Sequence, residues 1–105
     1  KKDLIISGGF NIYPSDLEAV LREHPAVVDV AVAGVASLQW GETPVAFVVR
    51  RDTDRTTAAE LKRWLNARVG KVQRLADLRY VDDLPRSAIG KVLKRELRDH
   101  YAAER

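Results

Sequence analysis

The sequence predicts an α+β domain, in which a small three-stranded sheet is covered by helices and preceded by a β-hairpin. Two segments rich in β-branched residues, 27–35 and 45–49, flank the polar link "SLQWGETP" and are expected to be neighbouring strands. Apolar residues recur at helical spacing in three further segments. A chain of 105 residues forms one modest core without room for an enclosed substrate cavity, so any chemistry is expected to need a second body.

The amino-terminal segment "LIISGGFNIYP" predicts a hairpin. Two short apolar runs flank Gly8 and Gly9, which can take positive φ and close a tight turn. Pro14 then ends the second strand, an arrangement that allows the hairpin to stand apart from the sheet.

Two capping-box patterns and one apolar stripe predict three helices. Ser15 and Glu18 have the S-x-x-E spacing of a capping box, and Pro25 ends the helix that follows. Thr57 and Glu60 repeat the pattern ahead of a second helix that ends before Gly70. The predicted apolar faces are Leu17, Val20 and Leu21 in the first helix, and Leu61, Trp64, Leu65 and Val69 in the second.

The carboxy-terminal part adds a third strand and a third helix. The strand is predicted within "LRYVDDLP", and the helix in "KVLKRELRDHYAAER" carries Leu93, Leu97 and Tyr101 on one stripe.

Composition excludes several functional classes. Without cysteine, and with only His24 and His100 far apart in sequence, no metal ligands are predicted. The net charge of +3 and pI near 9.4 suit anionic ligands such as nucleotides but are weak for a nucleic-acid binder. No apolar run approaches the ~20 residues of a membrane span, and no signal peptide is visible, so a cytoplasmic location is expected. The abrupt start at "KKDLIIS" suggests a piece of something longer.

Lys91 is the first candidate for chemistry. It follows Gly90 at the start of the last helix, but Pro85 occupies the position where a phosphate-binding loop needs glycine. Two interpretations stay open: a cation that reaches into a partner domain, or a solvated lysine in the first helical turn. Trp40, in a polar link, similarly either covers a sheet edge or stacks on a ligand ring. The basic run Lys91, Lys94, Arg95 and Arg98 is typical of a solvated helix face.

Two stretches together, "KKDLIISGGFNIYPSDLEAVLREHPAVVDVAVAGV" and "VDDLPRSAIGKVLKREL", closely resemble the carboxy-terminal domain of the adenylate-forming superfamily, most like an acyl-CoA synthetase. The resemblance implies a ligase that makes an acyl-adenylate from a carboxylic acid and ATP with Mg²⁺, then transfers the acyl group to coenzyme A. It implies that a large amino-terminal adenylation domain precedes this one, and that this mobile domain presents a different face for each step. Neither ATP nor coenzyme A is expected to bind tightly to this domain alone, and the isolated domain is expected to be inactive.

The resemblance also assigns residues. Lys91 matches the catalytic lysine of adenylation, Gly90 supplies loop flexibility, and Lys2 with Asp3 matches the hinge. Gly8 and Gly9 match the hairpin that lines the pantetheine tunnel, and Trp40 matches an aromatic near the coenzyme. The resemblance assigns Lys71 and Arg74 as contacts to coenzyme A, although "GKVQRLADLRYV" lacks the proline that many relatives carry there.

Two alternatives remain beside the acyl-CoA synthetase. In the first, the acceptor is the phosphopantetheine of a carrier protein. In the second, the domain is a non-enzymatic basic module that binds nucleic acid or protein, a hypothesis that RNA or DNA binding by the domain alone with a steep salt dependence would favour.

Overall fold

The computed structural model describes residues 3–104, which form three helices and five strands. In chain order these are β1 (Ile5–Ser7), β2 (Phe10–Ile12), α1 (Pro14–Leu21), β3 (Val27–Ser37), β4 (Gly41–Arg50), α2 (Ala58–Asn66), β5 (Asp77–Tyr80) and α3 (Lys94–Ala103). A short 3₁₀ turn, Lys71–Gln73, lies between α2 and β5.

β4 is the central strand of one sheet. β3 pairs antiparallel with it from Val27 opposite Arg50 to Ser37 opposite Gly41, which confirms that these two strands are neighbours. β5 pairs parallel to β4 on the other side. β1 pairs with β2 and reaches β4 through the pair Ser7–Gly41.

The α+β class and the amino-terminal hairpin are confirmed, but the strand count and the independence of the hairpin are corrected. The sheet has five strands in place of three, because β1 joins it at Gly41, and the described hairpin is part of the sheet. Ile5 and Ile12 are opposite each other across β1 and β2, and both are buried in the core. Three-residue strands are too short to show a period-2 pattern, so their attachment depends on a contact that the local sequence does not reveal.

Both faces of the β3–β4 pair are buried, which explains why these strands are almost continuously apolar. α1 and α2 cover one face, whose buried side chains include Val30, Val32, Ala46, Val48, Leu17, Leu21, Leu61 and Leu65. α3 covers the other face, where the buried side chains include Ala31, Ala33, Val45, Phe47, Leu84, Leu97 and Tyr101. The sheet is thus the middle of three layers.

The start of α1 differs from the prediction. Pro14 occupies the first turn, where its missing N–H costs nothing, and Tyr13 is the N-cap without a side-chain hydrogen bond. The predicted Ser15–Glu18 capping box is therefore wrong. The Glu18 carboxylate instead accepts a hydrogen bond from the backbone N–H of Val32 at 2.8 Å.

The start of α2 agrees with the prediction. Thr57 Oγ1 accepts a hydrogen bond from Glu60 N at 3.1 Å, and Glu60 Oε1 accepts one from Thr57 N at 2.8 Å. Trp64 packs against the core but is only partly buried, with its ring edge-on to that of His24. Leu61 and Leu65 supply the fully buried face.

α3 begins at Lys94, so Leu93 is its N-cap and the buried stripe consists of Leu97 and Tyr101. The Asp77 carboxylate in β5 accepts hydrogen bonds from Tyr101 Oη at 2.9 Å and from Arg79 Nε at 3.2 Å. Burial raises the pKa of Asp77, but hydrogen bonds from Tyr101, the Leu78 N–H and Arg79 outweigh it, so this pKa lies below the usual 3.8.

We expect Asp77 to stabilise the fold fully above about pH 4, the unfolded-state pKa, and to lose that contribution as the pH falls through the lower folded-state value. The measurement is the urea concentration at the midpoint of unfolding, compared for wild type and Asp77→Asn between pH 7 and pH 2.5. The variant should be less stable at pH 7, and the difference should shrink below pH 4. Asp52→Asn, in an exposed turn, is the matched control. A difference that stayed constant over the whole pH range would contradict this assignment.

Candidate functional site

Lys91 follows a tight turn, residues 87–90. Gly90 N donates a hydrogen bond to Ser87 O at 2.9 Å, and Ser87 N donates one to Lys91 O at 2.8 Å. Gly90 has φ +87°, a backbone conformation that costs other residues roughly 1–2 kcal/mol. The glycine therefore has a geometric role in closing a short hairpin, and the flexibility predicted for it stays a prediction.

Arg86 fixes this turn to the sheet. Its Nε donates a hydrogen bond to Gly90 O at 3.1 Å, and its Nη1 donates to the carboxylate of Asp29 in β3 at 2.9 Å. Arg86 also pairs with Val92 in an antiparallel bridge across the hairpin. One guanidinium thus joins the tip of the loop to the β-sheet, which holds the backbone of Lys91 in one place.

The side chain of Lys91 is exposed and makes no ion pair with any residue between 3 and 104. It lies before α3 and so outside the first helical turn, but its exposure is compatible with both interpretations, a solvated lysine and a cation that reaches into a partner domain. Lys91 lines a groove of about 700 Å³ together with Asp3, Glu18, Arg22 and Lys94. An ammonium that no carboxylate within the described chain neutralises can bind an external anion.

Lys94 is the second lysine of the groove and is held by two carboxylates. Its Nζ donates to Asp3 Oδ2 at 2.7 Å and to Glu18 Oε2 at 3.1 Å. The prediction of a solvated helix face is wrong for Lys94, since its side chain is only 14% exposed. Its partners are distant in sequence, and no local pattern could have revealed them.

The amino-terminal hairpin, β1 and β2, forms a surface separate from the groove of Lys91. Gly8 has φ +56° and Gly9 has φ +84°, so both glycines take the backbone conformation that the turn requires. Gly8 N donates to Trp40 O at 2.8 Å, and a Cβ on Gly8 would lie 2.8 Å from Cε3 of that indole. A Cβ on Gly9 would meet nothing within 4 Å. Neither glycine nor Trp40 lines the groove of Lys91.

Trp40 covers the turn of the hairpin and still leaves 49% of its surface exposed. Ile6 and Phe10, on β1 and β2, are exposed to a similar degree. The hairpin therefore carries an apolar surface against which a further chain or ligand can pack.

The two basic residues after α2 take different positions. Lys71 lies in the 3₁₀ turn that contacts β2, so it is near the hairpin. Arg74 lines a cleft of about 600 Å³ together with Lys62 and Arg63 of α2, two cations that no motif in the sequence indicates. Lys71 does not line this cleft.

The predicted hinge is only partly visible. Lys2 lies outside the described residues, whereas Asp3 is described and pairs with Lys94. Residues 3–104 contain no group of three or more histidine or acidic side chains that could hold a metal ion. None of their helices is both long and apolar enough to cross a membrane.

Known proteins similar to this chain share one domain type. The family model of the AMP-binding enzyme C-terminal domain matches residues 16–91. The chain is 44% identical over 98 residues to a 2-succinylbenzoate–CoA ligase of Bacillus mycoides, covering 93% of this chain and 20% of that protein. It is 43% identical to a long-chain-fatty-acid–CoA ligase of Escherichia coli, covering 94% of this chain and 18% of that protein.

A solved structure agrees in fold. The o-succinylbenzoate CoA synthetase of Bacillus subtilis, in complex with its acyl-adenylate intermediate, superposes with a TM-score of 0.85 at 40% identity. The match covers 94% of this chain and 20% of that chain. This chain thus spans about a fifth of the length of the curated relatives it matches. Its sequence and its fold place it in the family of AMP-binding enzyme C-terminal domains.

Proposed function

We propose that this chain is the carboxy-terminal domain of an AMP-forming acyl-CoA synthetase, and that Lys91 acts in the adenylation step. The observation that carries the proposal is an exposed lysine without an ion pair in residues 3–104, placed on a hairpin that Arg86 fixes to the sheet. The relatives, which are CoA ligases about five times as long, support a preceding adenylation domain.

Adenylation brings two anions together. A carboxylate oxygen attacks the α-phosphorus of ATP, which is supplied with Mg²⁺, the new oxygen–phosphorus bond forms, and pyrophosphate leaves. The ammonium of Lys91, inserted into the preceding domain, offsets the charge that gathers on the carboxylate and phosphate oxygens. Because it needs no partner within its own domain, its charge is available for this step.

The hairpin supports a second role in thioester formation. We assign Gly8, Gly9 and Trp40 to the wall of a tunnel for the pantetheine arm, where a side chain on Gly9 would project into the open space beside the turn. Lys71 and Arg74 are proposed contacts for the phosphates of coenzyme A. The resemblance to CoA ligases favours coenzyme A over a carrier protein as the acceptor.

Two separate faces require a movement between the steps. We propose that the domain rotates at Lys2 and Asp3, so that Lys91 serves adenylation and the hairpin serves thiol attack. The isolated chain is expected neither to adenylate acids nor to hydrolyse ATP, and to bind neither substrate tightly. A cytoplasmic location stays a prediction.

In the proposed full-length ligase that contains this chain, here called the full-length parent, Lys91→Ala is expected to lower the rate of pyrophosphate release about a hundredfold or more. The reason is the loss of a cation where negative charge develops. The measurement uses ATP with a panel of short, long and aromatic carboxylic acids, which also identifies the acid class. Thioester formation from supplied acyl-adenylate should be unaffected. Arg55→Ala, in an exposed loop, is the control. Wild-type pyrophosphate release in Lys91→Ala would refute the assigned role.

Gly9→Leu is expected to show the opposite pattern, with thioester formation reduced and adenylation retained, because the side chain blocks the thiol's path. Gly9→Ala carries the same positive-φ strain with less bulk and is the matched control. Both half-reactions are measured separately. If Gly9→Leu and Lys91→Ala impaired the same half-reaction, the two-face account would be wrong.

Arg86→Lys is expected to slow adenylation about tenfold, because one ammonium cannot reproduce the geometry of a guanidinium that joins Gly90 O to Asp29. The substitution keeps the positive charge, so it separates the position of Lys91 from the electrostatics of the loop. Single-turnover pyrophosphate formation gives the rate, and Arg55→Lys controls for the change of residue type. An unchanged rate would show that the turn at residues 87–90 positions Lys91 without the contacts of Arg86.

A further inference from the structure

Lys91 and Lys94 lie three residues apart in one groove but have opposite surroundings. Lys91 is exposed, whereas the Lys94 side chain is 14% exposed and donates to two carboxylates. Glu18 Oε2 is 3.1 Å from its Nζ and Asp3 Oδ2 is 2.7 Å away. A nearly buried ammonium between two carboxylates is well compensated, so Lys94 is not available as a second free cation for substrate.

The Glu18 end of this network is firmly anchored. The Glu18 side chain is 13% exposed, and its Oε2 also accepts the N–H of Val32 in β3 at 2.8 Å. β3 is an edge strand, with α1 on one face of the sheet and α3 on the other. The Glu18–Lys94 pair therefore passes around the edge of the sheet and connects the two helical layers.

The Asp3 end is the exposed one. The Asp3 side chain is 59% exposed, and Asp3 is the first residue that the structure describes. In the proposed full-length ligase, the adenylation domain precedes this residue, which the greater length of the relatives supports. The ion pair between Asp3 and Lys94 therefore attaches the segment that contains Asp3, here called the connecting segment, to α3.

We propose that Lys94 is a positioning residue for the adenylation pose: by holding Asp3, the described residue of the proposed hinge, it sets the orientation of the hinge relative to Lys91 in that pose. This inference rests on the proposed function. Lys91 acts only when its ammonium reaches the reacting oxygens, and displacements of about 1 Å can cost up to a hundredfold in rate. Without Lys94, the Asp3 and Glu18 carboxylates repel each other, and the connecting segment is no longer held on α3.

The test uses the full-length parent and single-turnover rates of both half-reactions. Asp3→Asn and Lys94→Met are each expected to slow pyrophosphate formation about tenfold. Thioester formation from supplied acyl-adenylate should change much less, because Lys91 takes no part in it. The double variant should be no slower than Lys94→Met, since both remove the same contact. Lys94→Arg, which can still bridge two carboxylates, should recover most of the rate.

Controls separate positioning from folding. Arg55→Met removes an exposed cation outside the groove and should leave the rates unchanged. A purely structural effect of Lys94→Met would reduce the active fraction, and so both half-reactions equally, which would overturn the inference. If Lys94→Met does not fold, Asp3→Asn decides the matter, because it leaves the Glu18–Lys94 pair intact.

The outcomes also separate this inference from the proposed function. Wild-type adenylation rates in both Asp3→Asn and Lys94→Met, with an active parent, would overturn the positioning role and leave the ligase assignment standing. A parent that formed no pyrophosphate with any acid of the panel would overturn the proposed function, and the inference with it.

Discussion

The antiparallel pairing of β3 with β4 is the constraint on which the rest of the structure depends. It runs from Val27 opposite Arg50 to Ser37 opposite Gly41, and residues on both of its faces are buried. Because successive side chains of a strand point to opposite faces, this one pairing provides binding surfaces for α1 and α2 on one side and α3 on the other. A register shift of one residue would exchange the two faces and displace every helix that packs on them.

The free edge of β3 explains where the candidate site lies. An edge strand presents unpaired backbone groups, and here the Val32 N–H is satisfied by the Glu18 carboxylate. Asp29, on the same strand, binds Arg86 and so holds the hairpin of Lys91. The Glu18 carboxylate accepts the Val32 N–H of the edge strand and pairs with Lys94 of α3. The Asp29 carboxylate holds the loop of Lys91 through Arg86. The contacts that protect this edge from further strand pairing thus also determine the position of the groove.

Features determined by neighbouring residues could be predicted from the sequence. The Thr57–Glu60 capping box is confirmed because both of its hydrogen bonds span three residues. The Ser15–Glu18 capping box has the same spacing but is wrong, because Pro14 begins the helix and the Glu18 carboxylate finds better partners in Val32 and Lys94, 14 and 76 residues away. The attachment of the amino-terminal hairpin to β4 likewise depends on a contact between distant residues. The role assigned to Lys91 rests on a glycine, a loop and a motif that are contiguous in the chain, and it stays a prediction.

The contrast between Lys91 and Lys94 shows why residue type and spacing do not by themselves distinguish an exposed, unpaired lysine from an ion-paired one. Both occur in "GKVLKREL", and both line one groove. Lys94 is compensated by Asp3 and Glu18, so its charge is used within the domain. Lys91 has no such partner in the described chain, and Arg86 holds the backbone of the turn that carries it, while the lysine side chain is exposed. The groove is also lined by Arg22, Arg95 and Arg98, so its positive charge is not confined to Lys91. What separates the two lysines is that Lys94 is ion-paired, whereas Lys91 has no ion pair among residues 3–104.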